Sequence, residues 1–244
     1  MDHNRRWPWV AQQGWNDVLF LHWQIPYEEL RRYVPAPFKL ETFNGQAWIT
    51  IVLFRATNSR LRGMPRLISY PSFLQLNVRT YVMFNDEPGI YFFKIDANSP
   101  FVVAGAKLAS LPYQQAKISM EKNRNGLLFN SQSKNSKFPS TSLSASYQPL
   151  PGLVNNQQGT LSHWLTERYS LWFIKGNKIL KGPISHKHWT LQKAEVNFKA
   201  TGMLPFLNDI YFQEKPLVQY SKSIQAHLYP FEKKGVFNQD LKRM

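Results

Sequence analysis

The sequence predicts a mainly β protein with a few short helices, folded as one domain. Three observations carry this. Gln75 to Phe84 alternates strictly, and a run of turn residues followed by a second aromatic-rich strand makes 75–95 an antiparallel hairpin. Short strand-like segments separated by turn signals then continue for most of the chain. With 244 residues, 43% of them hydrophobic and 15% aromatic, the chain can bury a large core. No internal repeat or domain boundary interrupts it, so 1–244 reads as one unit, with an N-terminal arm at 1–14 and a basic tail at 230–244.

In chain order, the arm carries Trp7, Trp9 and Trp15 around Pro8, indoles suited to packing on the body of the fold. DVLFLHWQI at 17–25 reads as a strand. Pro26 then opens a short helix, with Glu28 and Glu29 in its first turn and Leu30, Tyr33 and Val34 on its buried side. The proline-rich stretch at 34–37 stops that helix. Phe38 to Phe43 forms a short strand, Asn44-Gly45 a hairpin turn, and 47–56 a strong strand. That strand places Ile49, Ile51, Leu53 and Arg55 on one face and Trp48, Val52 and Phe54 on the other. Residues 57–73 read as a long basic loop.

In the 75–84 strand, Leu76, Val78, Thr80, Val82 and Phe84 form one face, the expected core side. Gln75, Asn77, Arg79, Tyr81 and Met83 form the other. That second face either meets water, as in a half-buried antiparallel strand, or lines an interior pocket. In a pocket, Arg79 is a fixed cation able to hold a carboxylate beside Tyr81 and Gln75. NDEPG at 85–89 supplies the turn. Residues 96–111 read as a strand end, a turn and a short helix. Segments 116–122, 126–132 and 142–148 follow as strands, with a polar loop between the last two and another connection at 149–158. Thr160 caps a helix that presents Leu161, Trp164 and Leu165 on one face, and 167–175 alternates as a strand. Lys175 to Lys178 is a tight turn, 187–198 a further strand, and short strands follow Leu204.

Composition excludes several functions. The absence of cysteine rules out disulfides, thiolate metal sites and thiol catalysis. The net charge of +15 arises from 30 basic against 15 acidic residues. These residues are scattered and come without a nucleic-acid motif, so binding of nucleic acid or of an anionic membrane surface ranks third and attraction of anionic ligands ranks above it. No apolar run is long enough to span a membrane and no signal-peptide core is present, so a cytoplasmic location is expected. His186 and His188 are two apart without a nearby acid, a pattern more typical of surface or capping histidines than of a metal site, and no metal is expected. No phosphate loop, dinucleotide fingerprint or nucleophile elbow exists, so no cofactor is implied. In LTERY, one of Glu167 and Arg168 should face inward and need a partner. Arg79 is the expected partner of Glu167. The aromatic arms suit a homo-oligomer interface and intrachain packing equally.

GAKLASLPYQQA at 105–116 resembles the G-R-E-x-x-G-x-P-K-K-x-A signature of acetoacetate decarboxylases without a gap: Gly105, Pro112 and Ala116 keep their spacing. Upstream, FLQLNVRTYV, a Pro-Gly hairpin and IYFFKIDAN look like that superfamily's strand pair. IPYEELRRYVPAPFKLE is similar to its entry helix. NVRTYV, LPY and LTERY together resemble the uncharacterised YqjF-like branch. The resemblance covers most of 15–195 and implies a cone-shaped, mostly antiparallel acetoacetate decarboxylase-like β-barrel with an internal cavity, lined by Arg79, Tyr81, Gln75, Tyr113 and Gln114. The chemistry departs from the pattern. Tyr113 and Gln114 stand where the signature has its two lysines, the first of which forms a Schiff base with the ketone. Ala106-Lys107 replaces Arg-Glu, and Gln75 stands where the family has a glutamate on the preceding strand. Neither a phenol nor an amide forms an iminium. The resemblance therefore implies first a binder of a small carbonyl or carboxylate metabolite. Second comes a lysine-independent lyase, hydratase or isomerase, with Tyr113 as acid, Arg79 as anion clamp and Glu167 as base.

Overall fold

The computed structural model describes residues 7–65, 69–124, 126–135 and 138–237. It is built on β1 (Ala11–Ile25), β3 (Ala47–Leu61), β4 (Phe73–Phe84), β5 (Glu87–Ala97), β10 (Ser170–Lys175), β11 (Lys178–His186) and β13 (Leu217–Leu228). Their pairings run β11–β10–β5–β4–β3–β1–β13, and β13 pairs back onto β11 through Ile184–Leu228, Ser185–His227 and His186–Ala226. The pairings thus form a ring of seven strands, antiparallel except between β5 and β10. From β13 the sheet continues through β12 (Gln192–Thr201), β9 (Phe138–Leu153), β8 (Gly126–Asn135) and β7 (Lys117–Asn123), while β14 (Glu232–Val236) borders β11. The short strands β2 (Lys39–Leu40) and β6 (Tyr113–Gln115) add to β4 and β5.

Both faces of β3, of β4 and of Val18–Trp23 in β1 are covered over most of their length, which explains their nearly continuous apolar sequences. Leu19, Leu21, Ile49, Ile51, Leu53, Leu76, Val78 and Val82 pack with Phe129, Leu143, Ala145 and Tyr147 from the β7–β9 extension. The alternate residues, among them Val18, Phe20, Val52 and Phe54, face the other way, into a cavity shared by the ring strands. A one-residue register shift in β5 opposite Val78 and Arg79 keeps Phe92 and Ile95 on the cavity side and sends Lys94 to the packed side. Gly89 permits the ring's parallel contact. A Cβ there would come within 2.5 Å of Ser170 O and 2.6 Å of the Trp172 ring.

The helices are α1 (Tyr27–Arg31), α2 (Pro100–Leu108) and α3 (Leu161–Thr166). Ser99 and Thr160 cap α2 and α3 by accepting from Val102 N and His163 N. Asn85 and Asp86, both with φ near 50–60°, make the whole β4–β5 turn, so Glu87 already belongs to the returning strand. Asn44 and Gly45 form a turn of the same left-handed kind.

Several expectations are corrected. The β1 strand begins at Ala11, inside the expected arm, because Ala11, Gln12 and Gly14 pair with both β3 and β13. Residues 57–61 continue β3 rather than starting a loop, and Ser59 bridges to Tyr70; residues 66–68 lie outside the described residues. The polar segment after 132 is mostly strand, since β8 and β9 pair as far as Asn135 and Phe138; 136 and 137 are not described. The connection expected at 149–158 starts only after Leu153. Tyr33 is exposed on one side and stacks on Phe206 at 4.1 Å, while Leu30 and Val34 are buried. Residues 232–236 form a strand, so only part of the expected tail remains, and 238–244 lie outside the described residues.

Candidate functional site

The ring strands enclose a cavity of about 290 Å³. Its wall is largely apolar and aromatic, with Trp15, Phe20, Phe54, Phe92 and Trp189 prominent. The side chains of Gln75, Asn77 and Arg79 enter it from β4, so the polar face of that strand lines an interior and does not meet water. Among the described residues, none of the lining side chains is a lysine.

Two buried arginines meet this cavity. Arg79 is 9% exposed and Arg168, just beyond α3, is 6% exposed. Arg79 Nη2 donates to Leu165 O at 3.2 Å, and its guanidinium lies 5.8 Å from the Phe20 ring centroid and 5.9 Å from that of Tyr81. Arg168 Nε donates to Trp164 O at 2.7 Å, and its Nη1 pairs with Glu41 Oε2 at 2.7 Å. Glu41 is placed by its own N–H, which donates to Tyr81 O beside β2. Among the described residues, Arg79 Nε and Arg168 Nη2 find no hydrogen-bond partner, and neither does Asn77 Oδ1. Glu41 pairs with Arg168, whereas among the described residues no carboxylate pairs with Arg79; the other buried carboxylate nearby, Glu167, is engaged by Asn156, Trp189 N and Tyr169. Buried donors normally find acceptors, so this arrangement suits an anion.

Tyr113, on β6, also lines the cavity. Its hydroxyl donates to Gln75 Oε1 at 3.1 Å, and burial pushes its pKa up to about 12, partly offset by that bond. The side chains at the two positions singled out by the decarboxylase resemblance thus touch each other. Gln114 is not a lining residue; it pairs along β6 and bonds Asp96 on the far side of β5. Tyr81 is fully buried beside the cavity rather than on its wall. Its hydroxyl lies 2.5 Å from Thr50 Oγ1, which lies 2.8 Å from His22 Nδ1. His22 Nε2 reaches Gln219 Oε1 at 3.2 Å, and Gln219 Nε2 donates to Ser162 Oγ at 2.8 Å. An amide oxygen only accepts, so His22 carries its proton on Nε2, and Nδ1 accepts from Thr50. Burial, then Arg79, lowers the His22 pKa to about 3, against the Gln219 bond, which raises it.

Glu167 does not meet Arg79. Both Glu167 and Arg168 are buried, because 167 leaves α3 with ψ 73° and is not part of a strand, so the opposite-face rule does not apply. Glu167 Oε1 accepts from Asn156 Nδ2 and Trp189 N, each at 2.8 Å. Its Oε2 accepts from the Tyr169 hydroxyl at 2.5 Å and lies 3.5 Å from His188 Nδ1. It therefore fixes the 186–189 segment at the cavity. His186, passed over as a surface or capping histidine, is in that segment and lines the cavity between Tyr169, Trp189 and Trp15. Its Nδ1 lies 2.7 Å from Lys187 O and must donate, which leaves Nε2 as a lone-pair acceptor. Burial lowers its pKa, favouring the neutral ring, while Lys187 O and Glu167 oppose the shift. The sequence signal for His186 is its place at the end of the β11 strand, three residues before Trp189; the β11–β13 pairing turns it inward.

Among the described residues there is no group of three or more His, Cys, Asp or Glu able to hold a metal, and no helix long and apolar enough to cross a membrane. The model of the DUF2071 family, an uncharacterized conserved protein, matches residues 12–225. The chain is 37% identical over 226 residues to the uncharacterized protein YqjF of Bacillus subtilis (strain 168), covering 92% of this chain and 93% of that one. Among solved structures it is similar to an acetoacetate decarboxylase-like enzyme from Sphingomonas wittichii RW1, with a TM-score of 0.62, 10% identity, and 97% and 99% of the two chains covered. Acetoacetate decarboxylase from Legionella pneumophila gives 0.62 at 12% identity, over 98% and 92%. The enduracididine biosynthesis enzyme MppR complexed with pyruvate gives 0.61 at 10% identity, over 95% and 93%. At such identities the likeness shows the fold alone, which is acetoacetate decarboxylase-like and mainly β.

Proposed function

The chain belongs to the DUF2071 family, and from that premise we propose that its strand ring works as a cone-shaped barrel that binds a small carboxylate- or carbonyl-bearing metabolite. The observation that carries this is Arg79, a buried guanidinium lining the cavity with no carboxylate partner among the described residues, beside a second arginine already paired with Glu41. A ligand carboxylate supplies the partner that Arg79 lacks. Tyr113 offers a hydroxyl to a ligand carbonyl, with Gln75 orienting it. The net charge of +15 assists by drawing anions toward the protein. Tyr113 and Gln114 in the place of the signature lysines argue against Schiff-base decarboxylation, and the bound MppR pyruvate is consistent with a small-acid site in this fold.

A second reading, lysine-independent acid–base catalysis, is favoured by His186. Its Nε2 lone pair is the better base, since both oxygens of Glu167 are engaged; Glu167 is then a positioning residue and Tyr113 the acid. A thermal-shift screen of small keto acids, carboxylates and aldehydes tests the binding reading. A ligand at about 100 times its dissociation constant stabilises the fold by about 2.7 kcal/mol, which moves the melting point by several degrees. Hits that vanish in Arg79→Ala support the site, and hits that persist there reject the arginine clamp. Turnover of a hit, reduced in His186→Ala, supports the catalytic reading, and binding without turnover rejects it.

A further inference from the structure

We infer that the cavity selects an arylalkyl monocarboxylate, with its acid on Arg79 and Arg168 and its ring between the aromatic walls. This rests on the carboxylate-site reading above and narrows it. Polarity in the cavity runs opposite to what a short polar acid needs. Both arginines are buried, at 9% and 6% exposure, as are the apolar Val18, Phe20 and Ile95 beside them, whereas Val10 and Phe231, which also line the cavity, are 43% and 46% exposed. A ligand that enters with its carboxylate leading leaves an apolar body along the wall and mouth.

The size of the space agrees. A cavity of about 290 Å³ lies at the lower end of the range of about 300–1,000 Å³ typical of small-molecule pockets. A short keto acid such as pyruvate reaches the arginines but leaves much of the apolar wall uncovered. The wall is also flat-sided. Trp189 meets Phe20 edge-on at 5.0 Å and lies nearly parallel to Trp15 at 6.1 Å, and Trp15 meets Phe54 at 5.8 Å. Such a linked aromatic set offers ring faces and edges to an aryl group, which gains over an alkyl chain of similar volume through ring–ring geometry.

Titration calorimetry on the full chain tests this with 3-phenylpropionate, octanoate, pyruvate and the neutral 2-phenylethanol. Each buried methylene-sized group is worth about fourfold in affinity, so 3-phenylpropionate should bind at least about 100-fold tighter than pyruvate. It should also bind tighter than octanoate and much tighter than 2-phenylethanol. Val52→Phe, which fills the cavity from β3, should weaken 3-phenylpropionate at least about tenfold and leave any pyruvate binding within a few fold. Leu171→Phe serves the same purpose if the first variant does not fold. Pyruvate binding as tightly as 3-phenylpropionate, or octanoate binding tighter, overturns the aryl selectivity while the carboxylate site stands. Equal binding of 2-phenylethanol overturns the head-group assignment. Failure of every acid to bind removes the carboxylate-site reading and this inference with it.

Discussion

Arg79 and Lys94 are buried cations on neighbouring strands of one sheet, and they are handled in opposite ways. Lys94 faces the packed side. Its ammonium lies 3.0 Å from Asp96 Oδ2 and also bonds the Thr141 hydroxyl, and Gln114 bonds Asp96 in turn. Burial lowers the Lys94 pKa and raises that of Asp96, and the attraction of each for the other opposes both shifts. Arg79 faces the cavity, with a backbone carbonyl and two aromatic faces but no carboxylate. Burial is the same in both, so burial alone does not mark a site. What marks it is a buried cation with no carboxylate paired to it, beside space to receive one.

The largest effect should come from breaking the matched pair. Asp96→Ala strands a buried ammonium and should cost about 3–5 kcal/mol in chemical denaturation, whereas Lys94→Met with Asp96→Leu should come out near neutral. If Asp96→Ala costs under about 1 kcal/mol, Lys94 is not held by that pair. A smaller effect concerns His22, the cavity-side neighbour of Arg79. Folded, it stays neutral down to about pH 3, while the unfolded chain takes a proton near 6.5. The unfolded state binds more protons as pH falls through that window. Stability at pH 5 should therefore be about 2 kcal/mol lower than at pH 7 from this group alone. Comparison of His22→Gln with the parent by urea unfolding at both pH values reads that difference directly; identical pH slopes would contradict it. In Arg79→Met the His22 resonance should titrate at a higher pH, because one of the two causes of its depression is gone.

Thr160→Ala should cost about 1 kcal/mol by removing the cap of α3, the helix that carries the Leu165 carbonyl held by Arg79. The smallest effect is the most telling for the comparison. Without ligand, Arg79→Met should change stability by under about 1 kcal/mol or raise it, because it removes a buried cation that has no directly paired carboxylate and keeps the volume. A loss of about 3 kcal/mol would mean that Arg79 is matched after all.

The β4 strand shows how far sequence reaches. Its alternation, its turn and the opposed faces of the 47–56 strand are local patterns, and each is present. Whether Gln75, Asn77 and Arg79 meet water or a cavity depends on strands brought over them from 170–186 and 217–228, and periodicity within β4 carries no trace of that. The same holds for 57–61, whose polar residues look like a loop until β1 pairs with them, with Asn58 at φ 48° absorbing the irregularity. The expected Glu167–Arg79 pair does not form, because 167 and 168 lie at a helix exit, where strand alternation does not govern direction. Tyr113 and Gln75, by contrast, were singled out through the decarboxylase resemblance, and they prove to be in contact.

The most direct test is the melting shift of the wild type and of Arg79→Ala with 3-phenylpropionate and pyruvate, at moderate salt and neutral pH. The account predicts a rise of several degrees in the wild type with at least one acid, and none in the variant. A wild type that folds but responds to neither acid, nor to any other carboxylate in the screen, would contradict it. Salt-dependent binding of nucleic acid to the basic surface would then be the reading to examine.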